Sequence, residues 1–525
     1  MTDAAHASSA AERLKRRRAA DARFAWYGRA AVCFALGALI ILIGAIVWQA
    51  TSAFTHHKMR FDLELDPTLI APNGLDDPEA IAENVSGFHA LIRDDLSDTF
   101  PETRSSEQLT GELHALVTRL AVLPVAQETA DTPSTIGTQQ TFWVAFSDDL
   151  DLFLKGLGSQ QSRLHLPALS GAVRTEAGDL ALIDARARFS PIVSARDGST
   201  RDPSGEGPSV LVQTGGLVLK AQTVQDDRII GTVLAGGARR LGDLEGAAAT
   251  VHVIEQPEAE RNVTDAQIAW TLVLKADGRI ERRWNGAFFS NADSTYPELA
   301  GVLAAIAGSL LLMMVTAALA VPVGIAAAVY LEEFAPTNRL TRLIEVNINN
   351  LAAVPSIVFG LLGAAVFLNA FGLPRSAPLI GGLVLSLLTL PTVIIASRAG
   401  LKAVPRSIRD AALAVGASPT QAVFHHVLPL AAPGMLTGAI IGLARALGET
   451  APLLLIGMVA FVAEVPSGPG DEATALPVLI YKWSTGAERA WEPMTAAAIV
   501  VLLVMLVFIN GTAVILRRHF ERTWK

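Results

Sequence analysis

Two opposite charges lie inside a long apolar run near the C-terminal end of the chain. Arg445 and Glu449 are four residues apart, so a continuous helix would place them on one face. An unpaired Arg at the bilayer centre costs roughly 2.5 to 3.5 kcal/mol even on the lenient insertion scale, so both side chains must face protein or water. The pair is either a purely structural ion pair, or Arg445 supplies positive potential along an anion path while Glu449 holds its orientation. Thr450 and Ser356 are weaker candidates for lining such a path.

Residues 398 to 429 are polar but lie between two apolar runs, so they must form a short loop at a membrane face. A small helix is predicted in this loop from residues that recur at three-to-four-residue spacing, namely Ile408, Ala411, Ala412 and Val415. Gly416 follows at the position where helices commonly end with a left-handed residue. Together with Ala414, these small residues would let another protein approach the backbone closely, as a docking surface requires.

A second small helix is predicted to begin after Ser418. Ser418 fits an N-cap, Pro419 the first helical position and Gln421 the third, which is the pattern of a capping box, and Pro429 should stop the helix. An ordinary connecting loop is the alternative interpretation. A helix-turn-helix that reads DNA is disfavoured, because membrane spans begin within a turn or two on both sides and leave no room for a duplex.

This hairpin resembles the "EAA" loop of ABC importer permeases, the coupling helix that sits in a cleft of the ATP-hydrolysing subunit. The resemblance rests on Asp410-Ala-Ala, Gly416 and Leu428-Pro429 at the family's spacing, with Asp410 in place of Glu and His426 in place of Ile. It implies that five residues couple this chain to a separate ATPase: Asp410, Ala411, Ala412, Gly416 and Ser418.

Three longer strings resemble phosphate-specific permeases of the PstA type: VPSIVFGLLG (354 to 363), GLPRSAPLIGGLVLSLLTLPTVIIASRAGLKAVP (372 to 405) and LARALGETAPLLLIGM (443 to 458). The resemblance covers residues 285 to 525 densely and the first part thinly. It implies an ABC importer permease fold that moves inorganic phosphate, and it favours the anion-path interpretation of Arg445. The implied partners are a dimer of ATP-binding subunits, a second permease subunit and a periplasmic phosphate-binding protein, with no cofactor.

The whole chain has 525 residues, 51% of them hydrophobic, and a mean hydropathy of +0.39, which indicates a membrane protein with a large soluble part. Its single cysteine, Cys33, excludes an intramolecular disulfide. Residues 1 to 26 are basic, which favours a cytoplasmic flank over a nucleic-acid-binding tail. Residues 27 to 49 are apolar over a length that can cross a core of ~30 Å, so a retained anchor is favoured over a cleaved signal peptide.

Residues 50 to 296 should form a soluble α+β domain outside the cytoplasm. Helical periodicity is present at 78 to 96, 106 to 123 and 141 to 157, and strand-like alternation at 215 to 221, 249 to 255 and 268 to 285, the last with a hairpin signal at Asp277-Gly278. Ser194 to Pro208 should be an exposed loop. The histidines are scattered, and no catalytic or metal-binding constellation is predicted among them.

Residues 297 to 525 should contain five further spans, which makes six in the whole chain. The predicted spans are 299 to 331 with a kink or break at Pro322, 351 to 371, 379 to 397, 430 to 462 and 494 to 516, with a loop outside the cytoplasm at 463 to 493. Both termini, the 332 to 350 turn and the coupling loop then lie on one side, and all four carry Lys or Arg. The sequence therefore predicts an α-helical polytopic protein of the bacterial inner membrane with cytoplasmic termini and an inserted α+β domain.

No nucleotide-binding glycine loop is present, so an ATPase would have to be another chain, and the protein is not predicted to be an enzyme. The predicted function is a phosphate permease subunit embedded in membrane lipid, with no nucleic-acid partner. A permease for another oxyanion, such as sulfate or molybdate, is the alternative within the same class, and a membrane-tethered sensor is the alternative from another class. A secondary transporter is disfavoured because no two-fold internal repeat is detectable.

Overall fold

The computed structural model describes residues 2–520 except 73, 75–76, 159–160, 167, 175–178, 184–188, 190–206, 237–243 and 245. The exposed loop predicted from Ser194 to Pro208 lies, apart from residues 207 and 208, outside the described residues.

The chain begins with one long helix, α1 (Thr2–Ala50), whose part from Ala20 to Ala50 is long and apolar enough to cross a membrane. The span predicted at 27 to 49 lies within this helix. The helix also includes the basic segment ahead of the span, because that segment is rich in Ala, Glu, Lys and Arg, which favour helix.

An α+β region follows, with its helices at the start and most of its strands later. The helices are α2 (Pro67–Ile70), α3 (Pro78–Glu83), α4 (Val85–Thr99), α5 (Glu107–His114), α6 (Leu123–Asp131), α7 (Asp148–Lys155), α8 (Asp265–Ala276) and α9 (Ala287–Ser290). The strands are β1 (Thr55–Glu64), β2 (Gln139–Ala145), β3 (Gln161–Leu166), β4 (Gly171–Arg174), β5 (Leu180–Ile183), β6 (Ser209–Thr214), β7 (Leu217–Val224), β8 (Arg228–Ala235), β9 (Ala249–Ile254) and β10 (Ile280–Trp284). The predicted α+β class is confirmed.

The described strands form two antiparallel sheets. One has the order β10-β1-β2, and the other has the order β3-β9-β6-β7-β8-β5-β4. The larger sheet is buried on both faces, because Leu211 and Val218 join the core formed with the helices, whereas Val212 and Leu219 join a second core on the opposite face. Helix α8 packs on the first of these faces.

Two secondary-structure predictions in this region are wrong. The segment 141 to 157, expected to be helical throughout, begins as strand β2, because Phe142 and Val144 alternate into the core and pair with β1. The segment 268 to 285, expected to be a hairpin, is helix α8 as far as Ala276 and strand β10 only from Ile280. Burial of nearly every face of α8 removes its helical periodicity, and Gly278, at φ +71°, turns the chain into β10.

The chain enters and leaves the α+β region at one place. Thr55 at the start of β1 is paired with Trp284 at the end of β10, and the backbone N–H of Asn285 donates to the carbonyl of Phe54 at 2.9 Å. The whole region is therefore an insertion whose two ends are adjacent.

The C-terminal part consists of helices that are mostly apolar. They are α10 (Leu303–Val329), α11 (Arg339–Ala352), α12 (Ser356–Gly363), α13 (Pro378–Ala403), α14 (Arg406–Ala414), α15 (Pro419–Ala422), α16 (Leu428–Leu447), α17 (Ala451–Leu455), α18 (Leu476–Ser484) and α19 (Trp491–Phe520). Short π-helical turns extend three of them, at Tyr330–Phe334, Ala364–Ala370 and Val423–Val427.

Five helices of the described chain could cross a membrane by length and composition: Ala20–Ala50, Leu303–Phe334, Pro378–Ala403, Pro419–Leu447 and Trp491–Ile515. The predicted third span, 351 to 371, is instead the second half of a helix pair, α11 and α12, that is bent by 101°. Another bent pair, within residues 107–131, contributes to the core of the α+β region through Leu113 and Val125. The prediction of a polytopic helical protein with an α+β insertion is confirmed.

The fifth predicted span, 430 to 462, differs most from the structure. Pro429 was expected to end a helix, but the helical run continues through it from Pro419 to Leu447. A π-helical turn at Val423–Val427 precedes Pro429, and such a turn accommodates a residue that has no N–H to donate. The chain then breaks after Leu447 and resumes helix in α17.

The predicted loop at 463 to 493 contains the buried helix α18. The backbone N–H of Leu476 at its start donates to Oγ of Ser309 at 2.8 Å, and Trp483 near its end is 1% exposed. Around it α10 packs on α13, α13 on α16, and α19 on both α16 and α1. Small residues permit these close approaches: a Cβ on Gly438 would stand 2.2 Å from Cβ of Ala396.

Candidate functional site

Arg445 and Glu449 meet at the end of α16. The helix ends at Leu447, so Arg445 lies in its last turn and Glu449 lies in the break that follows. Nε of Arg445 is 3.5 Å from Oε1 of Glu449. The prediction that they share one face of a continuous helix is therefore wrong, although the ion pair forms. Pro452 accounts for the break, because in a continuous helix its ring would clash with the carbonyl four residues earlier, that of Gly448.

A second helix break lies beside the first. Ser356 is the first residue of α12, directly after the bend at Pro355, and Thr450 is the N-cap of α17. The two half-helices α12 and α17 pack together so closely that a Cβ on Gly360 would stand 2.7 Å from Cα of Pro452. The structure thus brings the half-helices that start at Ser356 and Thr450 into contact, and it places Arg445 one turn before the second of them.

The guanidinium of Arg445 is open to its surroundings. Its side chain is 52% exposed, whereas that of Glu449 is 19% exposed, and Glu449 is the one carboxylate within 4 Å of Arg445 among the described residues. A guanidinium that keeps donors free can form charge-assisted hydrogen bonds to an oxyanion. The hydroxyl groups of Thr450 and Ser356, both half-buried, are further donors at the two breaks.

The hairpin predicted between the spans is present with the predicted local geometry. Helix α14 is followed by Gly416 at φ +91°. Oγ of Ser418 accepts the N–H of Gln421 at 3.3 Å, and Oε1 of Gln421 accepts the N–H of Ser418 at 2.9 Å, which completes the capping box. The positive φ of Gly416 lets the chain reverse between the two helices.

An apolar groove of about 820 Å³ runs along this hairpin. Its lining includes the predicted small-residue face and the second arm of the hairpin: Ile408, Ala411, Ala412, Val415, His425, His426, Pro429 and Leu430. Of the five residues expected to contact an ATPase, Asp410, Ala411, Gly416 and Ser418 are exposed. Ala412 is only 5% exposed, so it packs mainly inside the hairpin, while the neighbouring Val415 is 85% exposed at its tip.

A bidentate ion pair fixes α14 to the end of α10. Nε of Arg409 donates to Oε2 of Glu333 at 3.0 Å, and Nη2 donates to the other carboxylate oxygen. Nη1 of the same guanidinium donates to the carbonyl of Val404 at 2.8 Å, and Nη2 also reaches the carbonyl of Leu401. The first turn of the hairpin is thereby tied both to α10 and to the end of α13.

A second guanidinium extends this network. Nη2 of Arg398 on α13 donates to Glu345 of α11 at 2.6 Å, and Nε donates to Glu332 at 3.3 Å. Sequence reasoning missed both connections, because it treated Glu332 and Glu333 as a water-exposed turn and Arg398 and Arg409 only as evidence of sidedness. The sequence did carry a signal for these ion pairs, because two adjacent acidic residues follow one predicted span and a basic cluster follows another.

A buried charged cluster lies where α7 meets the membrane part. Asp151 accepts from Nδ1 of His57 at 2.8 Å and from Nζ of Lys155, with His56 also in contact. Burial alone would raise the pKa of Asp151, but His56, the His57 hydrogen bond and Lys155 together lower it. The histidines at 56 and 57 are thus satisfied structurally. No group of three His, Cys, Asp or Glu side chains among the described residues could hold a metal ion.

Two carboxyl groups near this cluster face each other across a small cavity. Burial and the negative charge of Glu298 raise the pKa of Asp148 to about 7, and burial raises the pKa of Glu298 as well. Glu298 is 4% exposed, and its Oε1 accepts from the hydroxyl of Thr118 at 2.6 Å. Asp148 therefore changes protonation near neutral pH. It lies where the α+β region meets α19, whose Pro493 and Met494 line the same cavity.

Comparison with known proteins divides the chain in two. Residues 320–522 match the family described as "Binding-protein-dependent transport system inner membrane component", and residues 11–163 match a domain of unknown function, DUF3333. The phosphate transport system permease protein PstA 1 of Mycobacterium tuberculosis (strain ATCC 25618 / H37Rv) is 35% identical over 217 residues, which are 41% of this chain and 70% of that relative.

Two further proteins are similar over the same share of the chain. The phosphate transport system permease protein PstA of Pasteurella multocida is 28% identical over 214 residues, covering 41% of this chain and 75% of that relative. An inward-facing structure of the MetNI methionine ABC transporter is 19% identical and covers 42% of this chain and 95% of its own, with a TM-score of 0.35.

Proposed function

From the premise that this chain belongs to the PstA-type family of ABC importer permeases, we propose that it is the membrane subunit through which an ATP-driven importer moves inorganic phosphate across the bacterial inner membrane. The observation that carries this proposal is the open guanidinium of Arg445 at a helix break, beside the half-helices that begin at Ser356 and Thr450.

Arg445 attracts the anion, and Glu449 limits how tightly it is held. Phosphate binds by charge-assisted hydrogen bonds to the guanidinium, with the hydroxyl groups of Thr450 and Ser356 as additional donors. Glu449, 3.5 Å from Arg445, partly neutralises the positive charge, so the anion is released rather than trapped. Because both breaks sit where half-helices meet, a shift of one half-helix against the other would open the path to one side or the other.

The hairpin transmits the motion of a separate ATPase. ATP binding closes two partner ATPase subunits around the exposed surface of Asp410, Ala411, Gly416 and Ser418, and the groove beside Val415 receives apolar side chains from the partner. The Arg409–Glu333 ion pair carries the displacement into α10, and α13 follows through the carbonyl groups of Val404 and Leu401. ATP hydrolysis belongs to the partner, so this chain is not itself an enzyme.

A second permease subunit completes the path. Helix α11 has no buried residue, and it exposes Leu340, Leu343 and Val346, while α12 exposes Leu361. An apolar surface of this extent in the membrane part suits a related helical subunit. A periplasmic binding protein delivers phosphate from the other side.

The proposed arrangement places both termini, 1–26 and the end of α19, in the cytoplasm together with the coupling loop 398–429. Residues 27–49 are the first span, 50–296 the periplasmic α+β domain and 297–525 the permease domain with its spans. The basic residues near both termini and in the coupling loop support this orientation under the positive-inside rule.

Uptake of radiolabelled phosphate tests the proposal. Cells that lack this chain are complemented with it, and uptake is competed with arsenate, sulfate and molybdate in separate arms. We expect uptake to depend on the chain and to be displaced by arsenate alone. Strong displacement by sulfate or molybdate would instead assign the chain to another oxyanion, because an Arg alone does not distinguish tetrahedral anions.

A further inference from the structure

The α+β region contacts the membrane part at a hinge and, apart from the hinge, along α7. The hinge is the place where the chain enters and leaves the region, and there the N–H of Asn285 donates to the carbonyl of Phe54. The other contact, the α7 contact, lies where α7 meets the segment that leads into α10 and the start of α19. A cavity of about 20 Å³ at the α7 contact is lined by Asp148, Glu298 and Pro493 among others. It has room for about one water molecule, so solvent can exchange protons with the two carboxyl groups.

Four carboxyl groups meet at the α7 contact without a cation to balance them. The negative charges of Glu298, Asp149 and Glu488 all act on Asp148. None of the four has a Lys, Arg or His nitrogen within 4 Å in the described part of the chain. Glu298 is 4% exposed, and its Oε2 is buried without a hydrogen-bond partner among the described residues. Like charges held together away from water favour the protonated form of a carboxyl group.

The remaining ionisable groups around this cavity do not change charge near neutral pH. They are His56, Asp151 and Lys155. Burial lowers the pKa of His56, so its ring stays neutral. Asp151 and Lys155 form a buried ion pair, and Lys155 also donates to the carbonyl of Ser52 at 2.7 Å, close to the hinge. The group that titrates at the α7 contact is therefore Asp148, because burial and the charge of Glu298 raise its pKa to about 7.

We propose that the α7 contact is a pH-sensitive latch: a proton on Asp148 holds the α+β region against the membrane part, and loss of that proton releases it. When Asp148 ionises, a further negative charge faces Glu298, Asp149 and Glu488, and their repulsion separates α7 from the segments ahead of α10 and α19. The hydroxyl of Thr118, which donates to Glu298 at 2.6 Å across the contact, then gives up this bond to water.

The hinge and the α7 contact respond differently to pH. The pairing of Thr55 with Trp284 and the bond from Asn285 to Phe54 involve no titrating group, so the hinge stays closed at every pH near neutral. The last turn of α7 also stays tied to Ser52 through Lys155, whereas Asp148 lies in the first turn. Release therefore swings the region about its hinge and leaves its own fold intact.

The size of the effect follows from proton linkage. In the held form Asp148 titrates at about 7, whereas after release water surrounds its carboxyl group and its pKa returns toward the ordinary 3.8. The held form thus binds a proton that the released form does not bind. Between pH 6 and pH 8 the ratio of released to held molecules should rise about tenfold.

Distances between spin labels, measured by double electron–electron resonance, test the latch. The complete importer is studied in lipid nanodiscs, with Cys33→Ala in this chain and no other cysteine apart from the labelled positions. One label stands on the turn between β7 and β8 through Gln225→Cys, and the other stands in the loop before α18 through Glu464→Cys, since both positions are exposed. We expect a second distance to appear in the wild-type background and to gain about tenfold relative to the first from pH 6 to pH 8.

A second pair of labels separates release from unfolding. Gln139→Cys in β2 and Gln225→Cys lie on the two different sheets of the α+β region. A rigid swing of the region leaves their distance unchanged between pH 6 and pH 8. A change in this distance together with the first would show that the region loses its fold, and it would overturn the latch.

Three variants test the groups that carry the proposal. Asp148→Asn cannot ionise, so the ratio of released to held molecules should stay at its pH 6 value at pH 8. Glu298→Gln keeps Asp148 but removes a neighbouring charge, so the rise should be smaller than in the wild-type background. Asp62→Asn is the matched control, an exposed carboxyl paired with Arg60, and it should show the full rise.

Either of two results would overturn the proposal. One is a distance between the first pair of labels that does not change from pH 6 to pH 8 in the wild-type background. The other is a rise in Asp148→Asn as large as in Asp62→Asn. Assembly of each variant is checked by size-exclusion chromatography, and Glu298→Gln decides the question if Asp148→Asn does not assemble, because a full rise in Glu298→Gln would also overturn the latch. None of these readouts depends on which solute the importer carries.

Discussion

At the scale of single residues, the position of Arg445 decides what its charge can do. It stands at the end of a helix, half exposed, with Glu449 as the one carboxylate near it in the described structure. A purely structural ion pair would be expected to bury both partners, because an exposed pair gains little. The exposure of the guanidinium favours a role toward a mobile anion over a role in folding.

Exchanging the two charges separates these roles. In R445E/E449R the ion pair can still form, so a structural pair would tolerate the exchange, whereas an anion path would lose its positive charge at the required position. We expect normal insertion, but uptake of labelled phosphate at least about tenfold below wild type. Recovery of wild-type uptake by the exchanged pair would show that the pair is structural.

Asp148 makes the stability of the folded protein depend on pH. Its pKa is raised by burial and by Glu298 to about 7 from the ordinary 3.8, so the folded state holds a proton that the unfolded state releases between these two values. Stability from this group is complete below about pH 4 and is lost as the pH rises through about 7.

Asp148→Asn should therefore remove part of the loss of stability on going from pH 5 to pH 8. We expect the variant to be more stable than the wild type by about 1 to 2 kcal/mol at pH 8 and to gain no stability near pH 4. A full, unscreened pKa shift of this size would correspond to ~4 kcal/mol. Melting midpoints from tryptophan fluorescence at several pH values measure this. Asp62→Asn, an exposed carboxyl paired with Arg60, is the control and should leave the pH dependence unchanged. A wild-type midpoint that does not fall with rising pH would contradict the account.

At the scale of elements, the hairpin and α10 form one mechanical unit through Arg409 and Glu333. The bidentate geometry matters, because a guanidinium and a carboxylate joined by two bonds resist rotation as well as separation. A displacement of the hairpin is therefore expected to move the end of α10 with it.

Glu333→Gln should weaken the coupling of ATP hydrolysis to transport. The amide keeps the shape but loses the charge-assisted bonds, so we expect a several-fold fall in phosphate moved per ATP hydrolysed, with the ATPase still bound. The exchanged pair E333R/R409E should recover part of the loss, whereas Glu464→Gln, an exposed carboxyl in the loop before α18, should change nothing. If Glu333→Gln moved as much phosphate per ATP hydrolysed as the wild type, the Arg409–Glu333 ion pair would have no part in coupling.

The elements that sequence reasoning predicted correctly are those fixed by local hydrogen bonding. The Ser418–Gln421 capping box and the left-handed Gly416 depend on residues within a few positions of each other, so their pattern is legible in the chain. Strand β2 was read as helix because its partner β1 lies far away in sequence, and pairing such as Phe142 with Phe61 leaves no local signal. Helix α8 was read as strand because burial on nearly all faces removes its periodicity.

The candidate site was predictable in part for the same reason. Arg445 and Glu449 were found because they are charged residues in an apolar run. Pro452 was a sequence signal for the helix break between them, but the sequence analysis did not use it. The contact between α12 and α17 and the Arg409–Glu333 pair join segments 76 to 92 positions apart, so only the folded chain reveals them.

At the scale of the whole molecule, the α+β region is an insertion with adjacent ends. Relatives that share the membrane part match 41% of this chain yet 70% of their own length, so the transport core does not require a region of this size. Thr55 and Trp284 are paired, and the stack of Phe54, Trp284 and Phe289 lies on the membrane side of that pair. The core should therefore survive excision at this point.

Deleting residues 58 to 281 and closing the strand stubs with an Asn-Gly turn tests this separation. We expect the shortened chain to insert, to assemble with its partners and to retain phosphate uptake of the same order as wild type. A longer deletion, 52 to 287, also removes Phe54 and its packing on the fully buried Phe288, and it should fail to assemble. Loss of uptake in the shorter deletion, with assembly intact, would give the region a direct part in transport.

The most direct test of the central claim measures two activities at once in proteoliposomes that contain the complete importer and its binding protein. ATP hydrolysis and uptake of labelled phosphate are recorded for the wild type and for Arg445→Gln. The account predicts that the variant assembles and hydrolyses ATP while phosphate uptake falls at least about tenfold, since the charge on the path is gone. Uptake at the wild-type rate would contradict it.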